Sequence, residues 1–566
     1  MTSKPFLPFE PIAKASEYRA ILGRALHEHS HLTTRQENDP SDDIGELFTD
    51  NKQIRTLQKA DWQILFGRRG TGKTTLLNKL ADVIDNGRED YATLTLSLHK
   101  CVIDLPHDTP DRIKGLVQFE KFIMEIGYLL YRIYLHRTAS KNKNRRITIL
   151  LNRIRTEYRL IESSILNIAT FAHRGTVFGA ITDKTASVGK IKEWKTTLGI
   201  GSKLDLSFLK GAEQFSNYAE ASIKKNLSVI KEEKYQETAF IDFSSLKRDF
   251  VDLLDALHIK TLFILLDEWS ALDRRLLPLC QVHFAEYLKR AFFGTSRICL
   301  KISAIEHESK FEDFFEGSRI GLEVGADIFA QVNLDQIYNN RVINLREFFE
   351  ELIYRRLRHC DSRIKLFVGR ENPDRPIDGF LELMFDDKSG FDELINASGG
   401  IPRDFINRFD AVAAAYDHSV EKRWKEHRIR EVIMRHSIGR VADHVKKEAY
   451  LSCIFDKIGK VVRENNSILF LIPKLTDKRL TSAVESLFAS RLIHRLDLVD
   501  VPERIRSKYD CYFIDYGIFW DLTREKQKQT AALRIDGSGW PSMLSNSNSE
   551  LERFAVDISK CQIEND

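Results

Sequence analysis

Gly67-Arg68-Arg69-Gly70-Thr71-Gly72-Lys73-Thr74 follows the pattern G-x-x-x-x-G-K-[ST], in which a loop wraps its backbone amides around the phosphates of a nucleotide. Its flanks suit that chemistry. Trp62-Gln63-Ile64-Leu65-Phe66 reads as a short buried strand, and from Lys73 the spacing turns helical, with Leu77, Leu80 and Ile84 on one face and Asn86-Gly87 as a stop. Glycine lets the backbone approach the phosphates closely, the helix N-terminus offers unpaired N–H groups, and Lys73 adds a full charge. Gly67, Arg68, Arg69, Gly70, Thr71, Gly72, Lys73, Thr74 and Thr75 are therefore the expected nucleotide contacts. The Thr74 hydroxyl is the expected magnesium ligand.

A partner for that loop lies about 190 residues further on. Thr261-Leu262-Phe263-Ile264-Leu265-Leu266-Asp267-Glu268 is an unbroken apolar run ending in two acids, the pattern of a central strand that delivers carboxylates to a sheet edge. Asp267 would hold the magnesium shell, and Glu268 would orient and deprotonate an attacking water. A helical stretch around His283–Phe293 precedes another strand, Arg297–Glu306. Ser303, near its end, is a candidate γ-phosphate sensor, the plainer reading being a hydrogen-bonded loop serine. Ser398-Gly399-Gly400-Ile401-Pro402-Arg403 places a Gly-Gly turn and an N1 proline ahead of a helix running towards Ala415. Arg403 in that first turn opposes the helix dipole unless it meets an anion, which makes it a candidate phosphate contact.

Bulk properties bound the rest. At 566 residues the chain is long enough for three or four domains. Lys and Arg (86) nearly balance Asp and Glu (82), so any attraction to nucleic acid must come from local clusters. The seven cysteines are scattered without a C-x-x-C pair, which argues against a zinc site or a disulfide framework and fits a reducing cytoplasm. Neither a leader nor a membrane span is expected.

Taken in order, the loop at 67–74, Leu265-Leu266-Asp267-Glu268, the strand ending near Ser303 and Gly399-Gly400-Ile401-Pro402-Arg403 resemble an AAA+ ATPase of the origin-recognition-complex type, a clade related to the STAND ATPases. Tyr509-Asp510-Cys511-Tyr512-Phe513-Ile514-Asp515-Tyr516-Gly517 looks like the β-wing of a C-terminal winged helix. The resemblance covers residues 45–110, 240–415 and 440–525. It implies an α/β fold, an αβα sandwich with a parallel sheet, together with a helical lid carrying Arg403 as sensor 2, ATP and Mg2+ as cofactors, and ATP-controlled association of subunits. Arg319, in Gly317-Ser318-Arg319, is the best-placed candidate for an arginine finger, an exposed loop arginine being the commoner explanation. The expected domains are an N-terminal segment (1–50), a nucleotide-binding core (51–112 and 241–344), a helical basic insert (113–240), a lid (345–435), a winged-helix-like domain (436–527) and a mobile tail (528–566).

Within the insert, Phe122, Ile126, Leu129, Leu130 and Ile133 have helical spacing and suggest one of a pair of long helices. The hinge carries Arg132, Arg137, Lys141, Lys143, Arg145, Arg146, Arg153 and Arg155 with no acid among residues 132–156, suited to nucleic-acid phosphates or simply a solvated face. Residues 175–212 read as a loop–strand excursion or an adaptable surface loop. In the C-terminal domain Thr481–Phe488 reads as a capped helix that would enter a DNA groove, with Arg491, His494 and Arg495 after it and Arg504, Arg506 and Lys508 near the backbone. His27, His29 and His31 alternate as metal ligands on a strand would, but a solvated loop is the expectation, and no structural metal is predicted.

These readings point to a magnesium-dependent ATPase whose nucleotide state controls self-association and binding to nucleic acid, DNA before RNA. A rival is a STAND-like sensor in bacterial anti-phage defence that recruits an effector protein. A DNA translocase or clamp loader is a third reading, for which no helicase motif speaks.

Overall fold

The computed structural model describes residues 21–29, 47–49, 52–103, 110–141, 243–273, 278–366, 381–496, 507–523, 552–558 and 561, leaving aside 316, 340–342, 382–383, 417–422, 447 and 475–477 within those spans. They belong to two compact units, one of Ile54–Phe66 and Leu76–Val332, the other of Met1–Gln53, Gly67–Thr75 and Asn333–Asp566.

The first unit is built on a five-stranded sheet. In chain order its elements are β1 (Gln63–Phe66), α1 (Lys73–Gly87), whose first turn is assigned to the other unit, β2 (Tyr91–Ser97), α2 (Asp111–Lys141), α3 (Phe243–Ala256), β3 (Thr261–Asp267), α4 (Leu279–Phe292), β4 (Ile298–Ala304), a hairpin of β5 (Glu312–Phe315) and β6 (Ser318–Gly321), and β7 (Ala330–Asn333). The sheet order is β2-β3-β4-β1-β7, with β2–β3, β3–β4 and β4–β1 parallel. This is the α/β architecture expected from the motifs. β3 and β4 are buried along their whole length, which is why their sequences run apolar without alternation. Parallel register carries Phe66 level with Ala304, and Leu266 level with Ile302, so β1 ends at the same sheet edge as the acids that follow Leu266.

Several polar residues are buried in this unit, a lysine of β4 among them. Lys301 of β4 is fully buried, and its Nζ donates to the carbonyls of Lys59 (2.6 Å) and Asp61 (2.7 Å) and to Gln63 Oε1. Burial pushes its ammonium down to about 7.

The expected insert boundary at residue 113 needs correcting. α2 begins at Asp111 and is part of the core, contributing Phe119, Phe122, Ile126 and Leu130 to the cluster that also holds Phe284 and Phe292 of α4. Gly115 permits this crossing, because a Cβ there would lie 2.9 Å from His283 Cβ and 3.0 Å from the Cys280 carbonyl oxygen. Arg132, Arg137 and Lys141 lie in α2. The rest of the basic run, residues 175–212, His31, Arg504, Arg506 and the serine-rich stretch 538–549 lie outside the described residues.

The second unit is helical, with a small antiparallel sheet near its C-terminal end. It contains α5 (Leu334–Asn339), α6 (Leu345–Cys360), α7 (Lys388–Ser398), α8 (Pro402–Ala415), α9 (Glu426–His444), α10 (Ala449–Asn465), β8 (Leu469–Pro473), α11 (Lys478–Ala489), β9 (Ile493–Leu496), β10 (Tyr509–Ile514) and α12 (Tyr516–Thr523). Asp387 caps α7 by accepting from Ser389 and Gly390 N–H, Gly399 ends it in the left-handed region, and Pro402 opens α8 at its first turn, as its sequence predicts. Phe405 of α8 stacks on Phe349 of α6 (4.4 Å between centroids). The sheet has the order β8-β10-β9.

Four expectations fail here. The expected wing stops at Ile514, because Asp515 caps a new helix by accepting from Gly517 and Ile518 N–H. α11 begins at Lys478, ahead of the expected cap at Thr481. His29 is on a helix, buried, with Nδ1 2.6 Å from Asp410 Oδ1 and Nε2 accepting from Arg356 Nε, so it is neither strand-borne nor solvated. Lastly, Cys453 and Cys561 are joined by a disulfide, and the segment around Ala555 pairs with Leu471 of β8, so part of the tail is docked. Those cysteines are 108 residues apart, a distance that no local spacing rule detects.

Candidate nucleotide-binding site

The loop needs its glycines. Gly70 and Gly72 have φ of 91° and 90°, and a Cβ on Gly70 would lie 2.7 Å from Arg403 Cβ; one on Gly67 would lie 2.5 Å from Thr71 Oγ1. Thr71 turns back on the loop, its Oγ1 donating to the Arg68 carbonyl at 2.8 Å. Lys73 Nζ donates to the carbonyls of Gly67 (2.6 Å) and Arg68 (3.0 Å), which folds its charge over the loop. Thr74 and Thr75 lie in the first turn of α1, half-buried. Donors from elsewhere in the same unit fix the loop from outside: Arg403 N–H to the Gly70 carbonyl (3.2 Å) and Tyr338 Oη to the Thr71 carbonyl (3.3 Å).

The two arginines inside the motif are held by residues far away in sequence. Arg68 is buried, with its backbone N–H and Nε bonded to the Asp335 carboxylate (2.7 and 2.8 Å), its Nη1 2.7 Å from His494 Nδ1 and its guanidinium 4.8 Å from the Phe488 ring centroid. The Arg69 carbonyl accepts from Arg491 Nη2 (3.0 Å), and Arg491 is ion-paired with Asp404, next to Arg403. His494 is fully buried, stacked on Phe513 (4.6 Å) and lies against Gly399, where a Cβ would come within 2.6 Å of its Cε1. Burial and the Arg68 guanidinium push His494 well below the usual histidine range, so the ring is neutral and Nδ1 accepts from Arg68.

A buried charge cluster backs this assembly. Asp515 accepts from Arg408 of α8 (2.6 Å) and Arg440 of α9 (2.7 Å). Burial pushes its carboxyl up, but Arg440 and Arg408 hold it below the usual range.

The acids are arranged by their own sheet. Asp267 is buried and its Oδ1 accepts from Ser303 Oγ. Glu268 leaves the strand with φ 61°, a left-handed conformation unusual for a non-glycine residue, and its N–H donates to Asp267 Oδ1 (3.0 Å) and Ser303 Oγ (3.2 Å). Its carboxylate accepts from Ser97 Oγ (2.7 Å) and lies 3.3 Å from His99 Nε2. Ser97 ends β2, the neighbouring strand, His99 follows it, and neither carries a recognisable motif. Asp267, Glu268 and Ser303 are thus brought together as the sequence suggests. Arg319 is held apart from them, by the carboxylates of Glu323 and Glu312 and against the Phe314 ring.

Arg491 and His494 are the second correction to the C-terminal reading, because both are turned into the phosphate loop. Arg495 is exposed and paired with Asp510 (3.1 Å), and Lys508 is exposed.

The loop's own donor set fits a triphosphate: it is closed to a Cβ at two positions, with a lysine over it and a hydroxyl in the first helical turn. Among the described residues no group of three or more His, Cys, Asp or Glu could form an all-protein metal cage, and no helix is long and apolar enough to cross a membrane. Magnesium bound to nucleotide takes few protein ligands and needs no such cage.

No protein-family model and no curated protein matches this sequence. Among solved structures the chain is similar to a Walker-type ATPase of Pyrococcus abyssi, at 13% identity over 84% of this chain and 96% of that one with a TM-score of 0.35. It is also similar to the Orc1 protein of Aeropyrum pernix, solved in complex with DNA, at 12% identity over 86% and 95% with a TM-score of 0.31.

Proposed function

We propose that this chain binds ATP with Mg2+ through residues 67–75, hydrolyses it, and changes its self-association and its grip on nucleic acid with nucleotide state. Backbone N–H groups of the loop and Lys73 hold the phosphates, and Arg403 meets the terminal one. Thr74 and Asp267 hold the magnesium, which when bound neutralises phosphate charge. Glu268 takes the proton of the attacking water, Ser303 senses the γ-phosphate, and Arg319 serves as a finger towards a neighbouring subunit once it exchanges its carboxylate partners. The observation that carries this reading is the loop itself, whose glycines at 67 and 70 tolerate no side chain and whose lysine is folded over it.

Calorimetry with ATP and with ADP, in magnesium, tests the proposal. Uptake by the wild type and none by Lys73→Ala is expected. Well-folded wild type that takes up neither nucleotide overturns the reading.

The support for nucleic-acid binding is the run of cations between Arg132 and Arg155 and the succession α10-β8-α11-β9-β10, read here as a winged helix. With Arg491 and His494 engaged, DNA contact falls to α11, Arg495 and Lys508. Anisotropy of a labelled duplex should show affinity falling steeply with salt, and Arg145→Glu/Arg146→Glu should flatten that slope. Salt-independent binding, or none, removes this part of the proposal.

A further inference from the structure

A short C-terminal segment is strapped along α10 by contacts that come in reversed order. Asn465 Nδ2, at the end of the helix, donates to the Arg553 carbonyl (2.9 Å), Lys457 Nζ donates to the Asp557 carbonyl (3.0 Å), and Cys453, near the start, is bonded to Cys561. The segment therefore runs antiparallel to α10. It also meets β8, where Val556 N–H donates to the Leu471 carbonyl (2.8 Å) and Ala555 bridges Leu471. Val556 and Ile558 are buried while Asp557 between them is exposed, the alternation of an extended chain with one face on a core. Leu471 is paired with Cys511 of β10 on its other side, so the strap covers the edge of β8 that the sheet leaves open.

The disulfide is the firm end of this strap. The hydrogen bonds from Lys457 and Asn465 lie at the surface, where water competes for them. Of the seven cysteines, Cys453 and Cys561 pair and the other five are free. Chains without a sufficient core are stapled by several bridges, whereas this one has a large apolar core and a single bridge, on the strap. Burial pushes the thiols of Cys360 and Cys511 up to about 11 and about 12, which keeps them protonated near neutrality and makes them poor competitors for the bridge.

We propose that Cys453 and Cys561 form a redox clasp that decides whether residues 552–558 cover β8 and α10. The reductant is a dithiol. Its thiolate attacks one sulfur of the bridge, the S–S bond breaks, and the displaced cysteine leaves as a thiolate and takes a proton; the reductant's second sulfur then displaces the other cysteine from the mixed disulfide. The protein gains two electrons and two protons, and the reductant departs as its own disulfide. Cys453 is the more exposed of the pair. Cleavage frees the strap at one end, so it peels from α10 towards Asn465 and uncovers the β8 edge. Reoxidation closes it. This device does not rest on the nucleotide reading.

The test is native alkylation with peptide mapping, together with amide hydrogen exchange, on the full chain with and without dithiothreitol and in the absence of denaturant. In the oxidised chain mapping should find Cys453 joined to Cys561. Dithiothreitol should make both alkylatable and speed exchange across 553–558 by about tenfold or more, with β3 and α8 unchanged, and reoxidation should restore protection. Cys561→Ser should exchange rapidly with or without dithiothreitol, and Cys360→Ser should respond as the wild type does. A bridge that resists dithiothreitol until denaturant is added is a structural staple and overturns the proposal. So does a reduced wild type whose strap stays protected, a loss of protection that spreads to β3 and α8, or oxidised chain in which the two cysteines are not joined.

Discussion

The phosphate loop and the strand-end acids are held in opposite ways. Asp267 and Glu268 are positioned by near neighbours in one sheet, Ser303 on β4 and Ser97 at the end of β2, both on strands in parallel register, with His99 just after β2. The loop is positioned by residues separated from it by hundreds of positions: Asp335 and Tyr338 of α5, Arg491 in the turn before β9 and His494 of β9. A sheet edge is a rigid support whose geometry follows from strand pairing. The loop's geometry instead follows from the packing of distant residues against it, so whatever shifts β9 or α8 shifts the loop. On the proposed function, that difference assigns chemistry to the acids and coupling to the loop.

The strongest way to break this contrast is at the acids. Glu268→Gln keeps the size of the side chain but cannot accept a proton, so steady-state turnover should fall by about 10²–10⁴-fold while calorimetric nucleotide affinity stays within a few fold. Unchanged turnover would move the base elsewhere. Asp515→Ala probes the scaffold behind the loop, since it leaves Arg408 and Arg440 buried without their shared carboxylate. Loss of about 3–5 kcal/mol is expected in urea unfolding. A change below about 1 kcal/mol would mean that the cluster relaxes into water.

Most of the local machinery was legible in the sequence because it is local. The loop, β1, β3, β4 and the helix opening at Pro402 each announce themselves within about ten residues, through glycine placement, apolar runs or a cap. What was hidden depends on the folded chain. Nothing near His494 says that its ring will meet Arg68, 426 positions away, and nothing near Cys453 points to Cys561. Arg491 and His29 were misread for the same reason: composition supplies charge and ligand type, whereas both owe their places to partners reached only in the fold.

Lys301 sharpens the contrast by testing whether the sheet behaves as a rigid body. Its folded value near 7 lies below the unfolded lysine value, so between them the unfolded chain holds a proton that the folded chain has released. Stability should therefore rise as pH goes from about 7 to 10, by roughly 1–2 kcal/mol once the opposing pull of its three oxygen acceptors on the ammonium is allowed for. Urea midpoints at several pH values should show that rise in the wild type and lose it in Lys301→Met. A wild-type midpoint that falls with pH across this range would mean that the ammonium persists in the fold.

The smallest expected effects set the two halves against each other directly. His494→Ala removes the acceptor at Arg68 Nη1 and the ring against Gly399, both on the loop side, so it should weaken nucleotide binding several fold while turnover at saturating nucleotide changes little. Ser97→Ala removes one hydrogen bond to the Glu268 carboxylate, a contact worth about 1 kcal/mol, and should alter turnover at saturation several fold with affinity unchanged. The direction of the Ser97 effect is informative. A faster variant means that Ser97 holds Glu268 back from water, and a slower one that it aims the carboxylate. If His494→Ala altered turnover and Ser97→Ala altered affinity, the division of labour between loop and acids would be wrong, because a contact on either side would then be acting on both binding and chemistry.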